Sequence, residues 1–428
     1  IKFIRENPQK VKEALKKRNL KVDVDKLIDK LLELDRIRKS SLLAIEMASA
    51  EQNKLSEAIV KEKDMTKKTA LIAQAQEVAA RKDQSVHIFK EVDSEYQRLL
   101  LQLPNLPQED VPEGEDEKDN VILREWGEKP IFDFKPKDYL EIGEKLDIID
   151  IKRAAKVSGS RFGYLKGAAA QIEFALVNFA FDELIPNGFI PVVPPVLIKP
   201  EAMQGMGYID TPEDRAERYY FEKDKLYLVG TSEQALGPMH KDEVFEEKDL
   251  PKRYVAFSTC FREEAGSYGR DTRGIMRVHQ FDKVEMFSFC HPDKSRQEHQ
   301  FLLQMAENLM QKLKIPYRVV QLCTGDLARP SAATYDIESW LPGQNQYRET
   351  HSISNCTDFQ ARRLNIRFKV SQAKKHSPKT RFVHTLNGTA FAIGRTLIAI
   401  IENYQQKDGS VKVPNVLQKY LPFKIITS

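Results

Sequence analysis

The pattern of apolar positions predicts two long helices in the first quarter of the chain. Between residues 25 and 103 there is no proline or glycine, and apolar residues recur at alternating spacings of four and three. The first series comprises Leu27, Leu31, Leu34, Ile45, Ala48, Leu55 and Ile59, and the second Leu71, Ala75, Val78, Phe89, Val92, Tyr96 and Leu99. The polar segment KEKDMTKKT (61–69) separates them. This pattern is typical of an antiparallel coiled-coil hairpin with arms of about 50 Å.

The remainder of the chain predicts a mixed fold. The segment LPNLPQEDVPEGEDEKDN (103–120) combines prolines with acids, which favours a linker. Beyond it, strand-like runs such as FIPVVPPVLI (189–198) alternate with helical patterns. A helix at 8–19 is expected at the base of the hairpin. We therefore predict an α+β protein with a helical domain at 1–115 and a sheet-containing domain at 116–428.

Charge and cysteine usage narrow the functional classes. Residues 1–103 hold 22 Lys and Arg against 17 Asp and Glu, whereas residues 104–120 hold one Lys against seven acids. A basic arm before an acidic linker fits contact with a nucleic acid, although a solvated helix face is the commoner cause of such an excess. The four cysteines form no C-x-x-C pair, which indicates a reducing, cytoplasmic location without disulfides or a zinc site. No secretory leader or membrane-spanning apolar run is expected.

Most of the residues suited to bind a ligand lie in one segment, FSTCFREEAGSYGRDTRGIMRVHQFDKVEMF (257–287). Two segments rich in β-branched and aromatic residues flank a loop that contains Gly266, Gly269, Arg270, Asp271, Arg273 and Gly274, which predicts a hairpin with a long mobile tip. Strand alternation would place Arg262 and Glu264 on one face of the first strand, and Arg277, His279 and Phe281 follow the same period of two along the second. A guanidinium can clamp a phosphate, and an aromatic ring can stack on a base. A surface hairpin with alternating charges is the alternative.

The full string resembles motif 2 of the class II aminoacyl-tRNA synthetases, in the form found in seryl-tRNA synthetases of bacterial or organellar type. GFIPVVPPVLI (188–198), after an amphipathic segment at 167–184, resembles motif 1, which forms the dimer interface of that family; alone it fits an unpaired edge strand equally well. LNGTAFAIGRTLIAIIENYQ (386–405) resembles motif 3, with Arg395 at a helix start; there a helix-capping arginine is the alternative.

Two further segments resemble this family's serine-contacting and metal-binding elements. VGTSEQAL (229–236) places Thr231 and Glu233 on one face of a turn. YRETHSISNCTDFQARR (347–363) matches the family's Glu-x-x-Ser element, with Glu349 and Ser352 as oxygen ligands for Mg²⁺. His351 stands where the family commonly has a smaller residue, which puts the local geometry in question. The resemblance runs in order from the first residues to Gln405.

The resemblance implies a coiled-coil domain that binds tRNA(Ser) and a class II catalytic domain, an antiparallel sheet flanked by helices, that ligates L-serine to it through a seryl-adenylate. It also admits tRNA(Sec) as a substrate. The implied catalytic residues are Arg262 and Arg395. The implied ATP-binding residues are Arg262, Glu263, Glu264, Arg277, Val278, Phe281, Glu349, Thr350, His351, Ser352 and Arg395. The implied serine-binding residues are Thr231, Ser232, Glu233, Arg262, Glu285, Asn387 and Thr389.

In this scheme Arg262 holds the α-phosphate and faces the serine carboxylate, while Arg277 and Arg395 hold the distal phosphates. Mg²⁺ and a homodimer are expected as well. Two other classes of function remain: a catalytically silent relative that only binds tRNA, and a coiled-coil interaction protein with a vestigial body. The first would be expected to lose Arg262, Glu285 or Arg395, and all three are present.

Overall fold

The computed structural model describes residues 1–265, 273–371 and 378–427, which form two compact units, Ile1–Pro104 and Asn105–Ser428. Gly266, Gly269, Arg270 and Asp271, at the tip of the predicted hairpin loop, lie outside the described residues. No helix in the described ranges is both long enough and apolar enough to span a membrane.

The first unit consists of four helices, and the two long ones form the predicted hairpin. The helices are α1 (Lys2–Glu6), α2 (Pro8–Lys16), α3 (Val24–Lys61) and α4 (Met65–Gln102). The long helices contain 38 residues each, or about 57 Å at 1.5 Å per residue. Both begin at an aspartate that accepts hydrogen bonds from backbone N–H groups: Asp23 caps α3 and Asp64 caps α4. Between them the Glu62 carboxylate accepts from the N–H groups of Lys63 and Asp64, which closes the turn.

The seam between α3 and α4 contains polar contacts where the apolar repeat is interrupted. Lys82 Nζ donates to Gln52 Oε1 at 3.3 Å across the seam. Arg38 pairs with Asp93, and its guanidinium lies 5.3 Å from the centre of the Tyr96 ring. Partly buried polar pairs of this kind favour one alignment of two helices, so they help to set the register of the hairpin.

The second unit is built on an eight-stranded sheet flanked by helices, as the resemblance implies. Its strands are β1 (Val121–Trp126), β2 (Ile149–Asp150), β3 (Tyr164–Leu165), β4 (Phe189–Val192), β5 (Leu197–Ile198), β6 (Tyr220–Phe221), β7 (Leu226–Leu228), β8 (Val244–Glu246), β9 (Lys252–Phe261), β10 (Gln280–Cys290), β11 (Tyr317–Gln321), β12 (Ala333–Leu341), β13 (Gln346–Asn355), β14 (Arg367–Lys369), β15 (Thr380–Phe382), β16 (His384–Ala392), β17 (Val411–Lys412) and β18 (Ile425–Ile426). Its helices are α5 (Tyr139–Lys145), α6 (Ile151–Ser158), α7 (Ala168–Leu184), α8 (Pro200–Met206), α9 (Pro212–Ala216), α10 (Glu233–Leu236), α11 (Ser295–Leu313), α12 (Phe359–Leu364) and α13 (Ile393–Asn403).

The main sheet has the order β1-β11-β12-β13-β16-β10-β9-β4, and every pair is antiparallel except β4 with β9. Helices α7, α11 and α13 pack against one face, where the main core lies; Phe179 and Phe391 stack there at 5.9 Å. The opposite face carries a second apolar cluster that includes Phe287 and Phe289. Because side chains alternate along a strand, Lys283 and Glu285 of β10 also point to this second face.

The proline- and acid-rich segment after residue 104 belongs to the second unit. The Asn105 side-chain amide donates to the backbone oxygens of Pro330 and Cys356 at 2.9 and 2.8 Å. Further along, Thr324 N donates to Pro112 O at 2.8 Å. These bonds anchor the segment to the sheet-containing unit, so the chain divides between Pro104 and Asn105, whereas the sequence places the boundary near residue 115.

Candidate active site

A cavity of about 540 Å³ opens beside the central strands of the sheet, and most of the predicted site residues line it. These residues are Thr231, Glu233, Arg262, Glu264, Arg277, Val278, Phe281, Glu285, Glu349, Thr350, Ser352, Asn387, Thr389 and Arg395. They come from the two strands of the β9–β10 hairpin or their ends, from β13 and β16, and from the starts of α10 and α13. The fold therefore assembles one site from segments that are far apart in the sequence.

The hairpin strands are shorter than their sequence pattern predicts. Strand β9 ends at Phe261 and β10 begins at Gln280, so Arg262, Glu264 and Arg277 lie beyond the paired strands. One further backbone bond, from Arg262 N to His279 O, extends the pairing, and Glu264 then adopts a left-handed backbone with φ of +52°. The expectation that strand alternation orients Glu264 is wrong. Its position instead allows an ion pair between Glu264 and Arg277, with 2.6 Å between carboxylate oxygen and guanidinium nitrogen.

Arg262 lies at the centre of the cavity's charged groups. Its Nε donates to Gly230 O at 3.1 Å, and its guanidinium lies 5.1 Å from the centre of the Phe281 ring. Its charge acts on Glu349 and also on Glu233 and Glu285, which belong to two different parts of the cavity. Arg262 is therefore the cation that the two parts share.

The first of these parts combines arginines with the Glu-x-x-Ser element. Arg395, near the start of α13, donates to the backbone oxygen of Glu349 at 3.1 Å and pairs with its carboxylate at 2.9 Å. Desolvation raises the pKa of Glu349, but the charges of Arg395, Arg262 and Arg277 outweigh it and hold that pKa below its usual value. A carboxylate that stays ionised among cations is suited to bind a metal ion that arrives with phosphates.

A β-bulge explains how Glu349 and Ser352 reach the same cavity. Across β12 and β13, Glu338 pairs with Glu349 and Ile337 pairs with His351, so Thr350 is an extra residue without an opposite partner. The bulge shifts the alternation by one position, which brings Ser352 to the cavity face and turns His351 away from it. His351 is fully buried and bonds Ala390 O through Nε2 at 3.0 Å. Burial lowers its pKa to about 4.

Glu349 and Ser352 suit Mg²⁺ because this ion keeps several waters and binds through one or two carboxylates together with substrate phosphates. Asp336 lies opposite Ser352 in β12 and is hydrogen-bonded to it. Burial, followed by the nearby charge of Glu349, raises the pKa of Asp336 well above its usual value. Among the described residues, no cluster of three or more His, Cys, Asp or Glu could hold a metal ion by itself.

The second part of the cavity is a buried pocket of carboxyl and hydroxyl groups. Glu285 of β10 lies directly opposite Thr389 of β16, and both are at least nine-tenths buried. Glu233, at the start of α10, is equally buried and accepts a hydrogen bond from the Tyr208 hydroxyl. Burial and then the charge of Glu285 raise the pKa of Glu233 to about 7, while Lys283, in an ion pair with Glu285, opposes this shift. The pocket can thus offer negative charge and hydrogen-bond partners to a small ammonium-bearing ligand.

Three predicted residues do not line the cavity: His351, Ser232 and Glu263. Ser232 is fully buried and bonds the Ser258 hydroxyl at 2.7 Å. Glu263 interacts with Tyr219. These residues flank the cavity-lining positions in the sequence, and their side chains point into the surrounding protein.

The sequence did not predict several polar residues of the site. Among them are Tyr208, Arg218 and Lys283, which line the cavity, and Asp336, which is hydrogen-bonded to the cavity residue Ser352. Lys283 could have been found, because it precedes Glu285 by two positions in one strand and therefore shares its face. Tyr208 and Arg218 lie in segments with no strand pattern or recognisable motif, so only the folded structure brings them to the site.

Comparisons with known proteins cover both units. Residues 1–107 match the family model described as the seryl-tRNA synthetase N-terminal domain, and residues 219–404 match the tRNA synthetase class II core domain (G, H, P, S and T). A serine–tRNA ligase of Thermodesulfovibrio yellowstonii is 45% identical over 430 residues, which span 100% of this chain and 99% of the relative.

Two solved structures extend this similarity to the fold. The seryl-tRNA synthetase from Pyrococcus horikoshii complexed with ATP superposes with a TM-score of 0.91 and 42% identity, covering 100% of this chain and 98% of the other. The cytoplasmic serine–tRNA ligase from Naegleria fowleri in complex with AMP gives a TM-score of 0.85 and 32% identity, covering 100% and 97% of the two chains.

Proposed function

Because this chain belongs to the seryl-tRNA synthetase family, we propose that its cavity activates L-serine with ATP and transfers the seryl group to the 3′-terminal ribose of tRNA(Ser). The observation that carries the proposal is the position of Arg262 between two groups of side chains. One group holds arginines and the Glu-x-x-Ser element, and the other holds buried carboxyl groups and hydroxyls. In an aminoacyl-adenylate, the acyl phosphate likewise lies between nucleotide and amino acid.

The nucleotide is assigned to the first group of residues. Phe281 offers its ring to the adenine, and Glu264, fixed by Arg277, lies where it can accept a hydrogen bond from the adenine edge. Arg277 and Arg395 supply positive charge for the distal phosphates. Mg²⁺, bound by Glu349 and Ser352, would supply further positive charge to the departing pyrophosphate.

Serine is assigned to the buried pocket, where its ammonium group faces Glu233 and Glu285. Thr231, Asn387 and Thr389 provide hydrogen-bond partners for the remaining polar groups of serine. A pocket that hydrogen-bonds a hydroxyl rejects alanine strongly, because alanine leaves buried polar groups without partners. Threonine would have to be excluded by steric conflict with its additional methyl group.

The site promotes the reaction by aligning the reactants and by stabilising negative charge. A carboxylate oxygen of serine attacks the α-phosphorus of ATP, the bond to the bridging oxygen breaks, and pyrophosphate leaves. In the second step the terminal ribose hydroxyl of tRNA attacks the carbonyl carbon of seryl-adenylate, and AMP leaves. Arg262 stabilises the negative charge that develops at the α-phosphate, so no covalent bond to the enzyme is needed.

We further propose that the helical hairpin of the first unit binds tRNA, with tRNA(Sec) as a second candidate substrate. We also propose that the enzyme acts in the cytoplasm and forms a homodimer through the Gly188–Ile198 region. The exposed lysines at the tip of the hairpin support the first assignment. The dimer is supported by β4, which forms one edge of the main sheet and exposes half of the Ile190 side chain. Arg262, Glu285 and Arg395, whose loss would mark a silent relative, all line the cavity.

Serine-dependent exchange of pyrophosphate into ATP tests the proposal. The wild-type protein should support exchange with serine and far less with threonine or alanine. Arg262→Ala should lower the exchange rate by at least about 10²-fold, because losing one such donor typically costs about 3 kcal/mol of transition-state stabilisation. Arg153→Ala, which removes an exposed arginine that pairs with Asp150 outside the cavity, is the control and should leave exchange unchanged. Normal exchange by a folded Arg262→Ala protein would contradict the assignment.

A further inference from the structure

Arg218 is a further arginine in the cavity, placed on the segment between α9 and β6. Its Nη1 donates to the backbone oxygen of Glu217 at 3.1 Å, and its guanidinium lies 5.2 Å from the centre of the Tyr208 ring. Its Nε is inaccessible to solvent and has no hydrogen-bond acceptor among the described residues. The side chain thus retains donor capacity inside the site.

Arg218 and Arg262 both lie close to Gly230. A Cβ atom added to Gly230 would lie 3.5 Å from Arg218 Nη1 and 3.5 Å from Arg262 Cγ. Within the described part of the chain, neither guanidinium has a carboxylate partner within 4.0 Å. Burial, and then the positive charge of Arg262, lower the pKa of Arg218.

Arg363 shows how this protein otherwise accommodates a buried arginine. Its guanidinium lies 2.6 Å from the Asp210 carboxylate, which neutralises it. Burial also lowers the pKa of Arg363, and Asp210 opposes this shift by its charge and by a direct hydrogen bond, whereas Glu217 and Asp214 oppose the shift of Arg218 by their charge alone. Two adjacent, partly buried cations without a directly paired carboxylate destabilise the empty site, since a desolvated charge needs a partner. An anionic ligand would supply that partner.

We propose that Arg218 binds the acyl-phosphate end of the substrate together with Arg262, so that two guanidiniums hold the anionic oxygens where serine and the α-phosphate meet. This inference rests on the proposed function. Tyr208 connects Arg218 to the serine pocket through its bond to Glu233, which places Arg218 on the amino-acid side of Arg262. The serine carboxylate and the α-phosphate both carry anionic oxygens that a guanidinium can bind. Separate KM values for serine and for ATP show which of the two groups Arg218 binds.

The test compares Arg218→Gln, Arg218→Lys and Arg363→Gln with the wild-type protein. Pyrophosphate exchange, aminoacylation of tRNA, the melting temperature of the ligand-free protein and its rise with seryl-sulfamoyl adenosine are measured for each. Arg218→Gln should lower kcat/KM for serine in exchange by about 10²-fold and reduce the rise in melting temperature, while the ligand-free protein melts at the same or a higher temperature. Arg218→Lys, which keeps the charge, should recover part of the lost rate.

Arg363→Gln should show the opposite pattern, because it leaves Asp210 buried without its partner. Its ligand-free melting temperature should fall while KM for serine and ATP stays near the wild-type values. Exchange within twofold of wild type for Arg218→Gln would overturn the inference, as would a loss confined to aminoacylation, which would assign Arg218 to a tRNA phosphate. A parallel loss of stability and exchange without recovery by lysine would make its role structural. If the wild-type protein gave no serine-dependent exchange, the proposed function would fail first, and this inference with it.

Discussion

Single side chains set the charge of the pocket that we assign to serine, and the proton on Glu233 determines how negative this pocket is. Glu233 and Glu285 share a buried space with a single adjacent lysine, Lys283. Burial and the charge of Glu285 disfavour an ionised Glu233, and the nearby cations Lys283 and Arg262 offset this only in part, so the pKa of Glu233 rises to about 7. The ammonium group of serine would supply the missing positive charge, so we expect serine binding to be coupled to release of this proton.

We therefore expect serine recognition to depend on pH. Below the raised pKa, Glu233 is protonated and must lose its proton before serine binds; above it, the carboxylate is already ionised. KM for serine in pyrophosphate exchange should rise about fivefold as pH falls from about 7 to about 6, and level off above about 8. Glu233→Gln should have a higher KM that no longer changes over this range. KM for ATP, measured alongside, is the control; a flat serine KM in the wild type would refute the coupling.

The residues around Glu349 show why part of the site could be predicted and part could not. The Glu-x-x-Ser spacing identified Glu349 and Ser352, but regular strand alternation places residues three apart on opposite faces. The bulge at Thr350 reconciles the two, and the same bulge excludes His351 from the cavity. A bulge depends on how two strands align, which the sequence of one strand does not specify. Motif spacing thus located the segment, while only the pairing with β12 assigned its faces.

At the scale of elements, local periodicity predicted the helices well and strand ends poorly. The two helices of the hairpin agree with the sequence because their repeat extends over many turns, and polar residues such as Gln52 and Lys82 interrupt it where they contact each other. The strands of the β9–β10 hairpin were predicted too long, since the alternation at Arg262 and Glu264 continues into the loop by chance. A short strand offers too few residues for its end to be evident from the pattern.

The exposed surface around strand β4 predicts that the protein forms a dimer. Strand β4 is an edge strand in which Ile190 is 50% exposed, Val193 directly after it is 81% exposed, and Phe174 of the preceding helix α7 is 60% exposed. A second copy of the chain would bury this surface, so sedimentation at about micromolar concentration should show a dimer. Ile190→Lys should shift the protein towards the monomer, because a buried interface disfavours an unpaired charge. Val60→Lys, at an 82% exposed position of the first unit, is the control. A stable, fully active wild-type monomer would exclude this interface.

At the scale of the whole molecule, chemistry and tRNA binding are assigned to different units. All residues assigned to ATP and serine belong to the second unit, which begins at Asn105. The first unit has none of them, and its two long helices, α3 and α4, pack mainly against each other. The sequence predicted this division but not its position, because Asn105 and its neighbours have the composition of a linker and are fixed by hydrogen bonds to distant residues.

The division predicts that the hairpin can be altered without loss of serine activation. Its tip carries Lys54, Lys61, Lys63, Lys67 and Lys68, which have no carboxylate within 4.0 Å in the part of the chain that the structure describes. Replacing all five by glutamine leaves the seam of the hairpin intact, and replacing residues 35–92 by a short glycine-rich turn removes the arm. Both variants should keep wild-type pyrophosphate exchange and lose most tRNA aminoacylation through a higher KM for tRNA.

Because lysines that contact phosphates release counterions, the tRNA affinity of the intact protein should fall on the order of 10²-fold between about 50 and 200 mM salt, and less steeply for the glutamine variant. Unchanged aminoacylation by both folded variants would show that the hairpin does not bind tRNA.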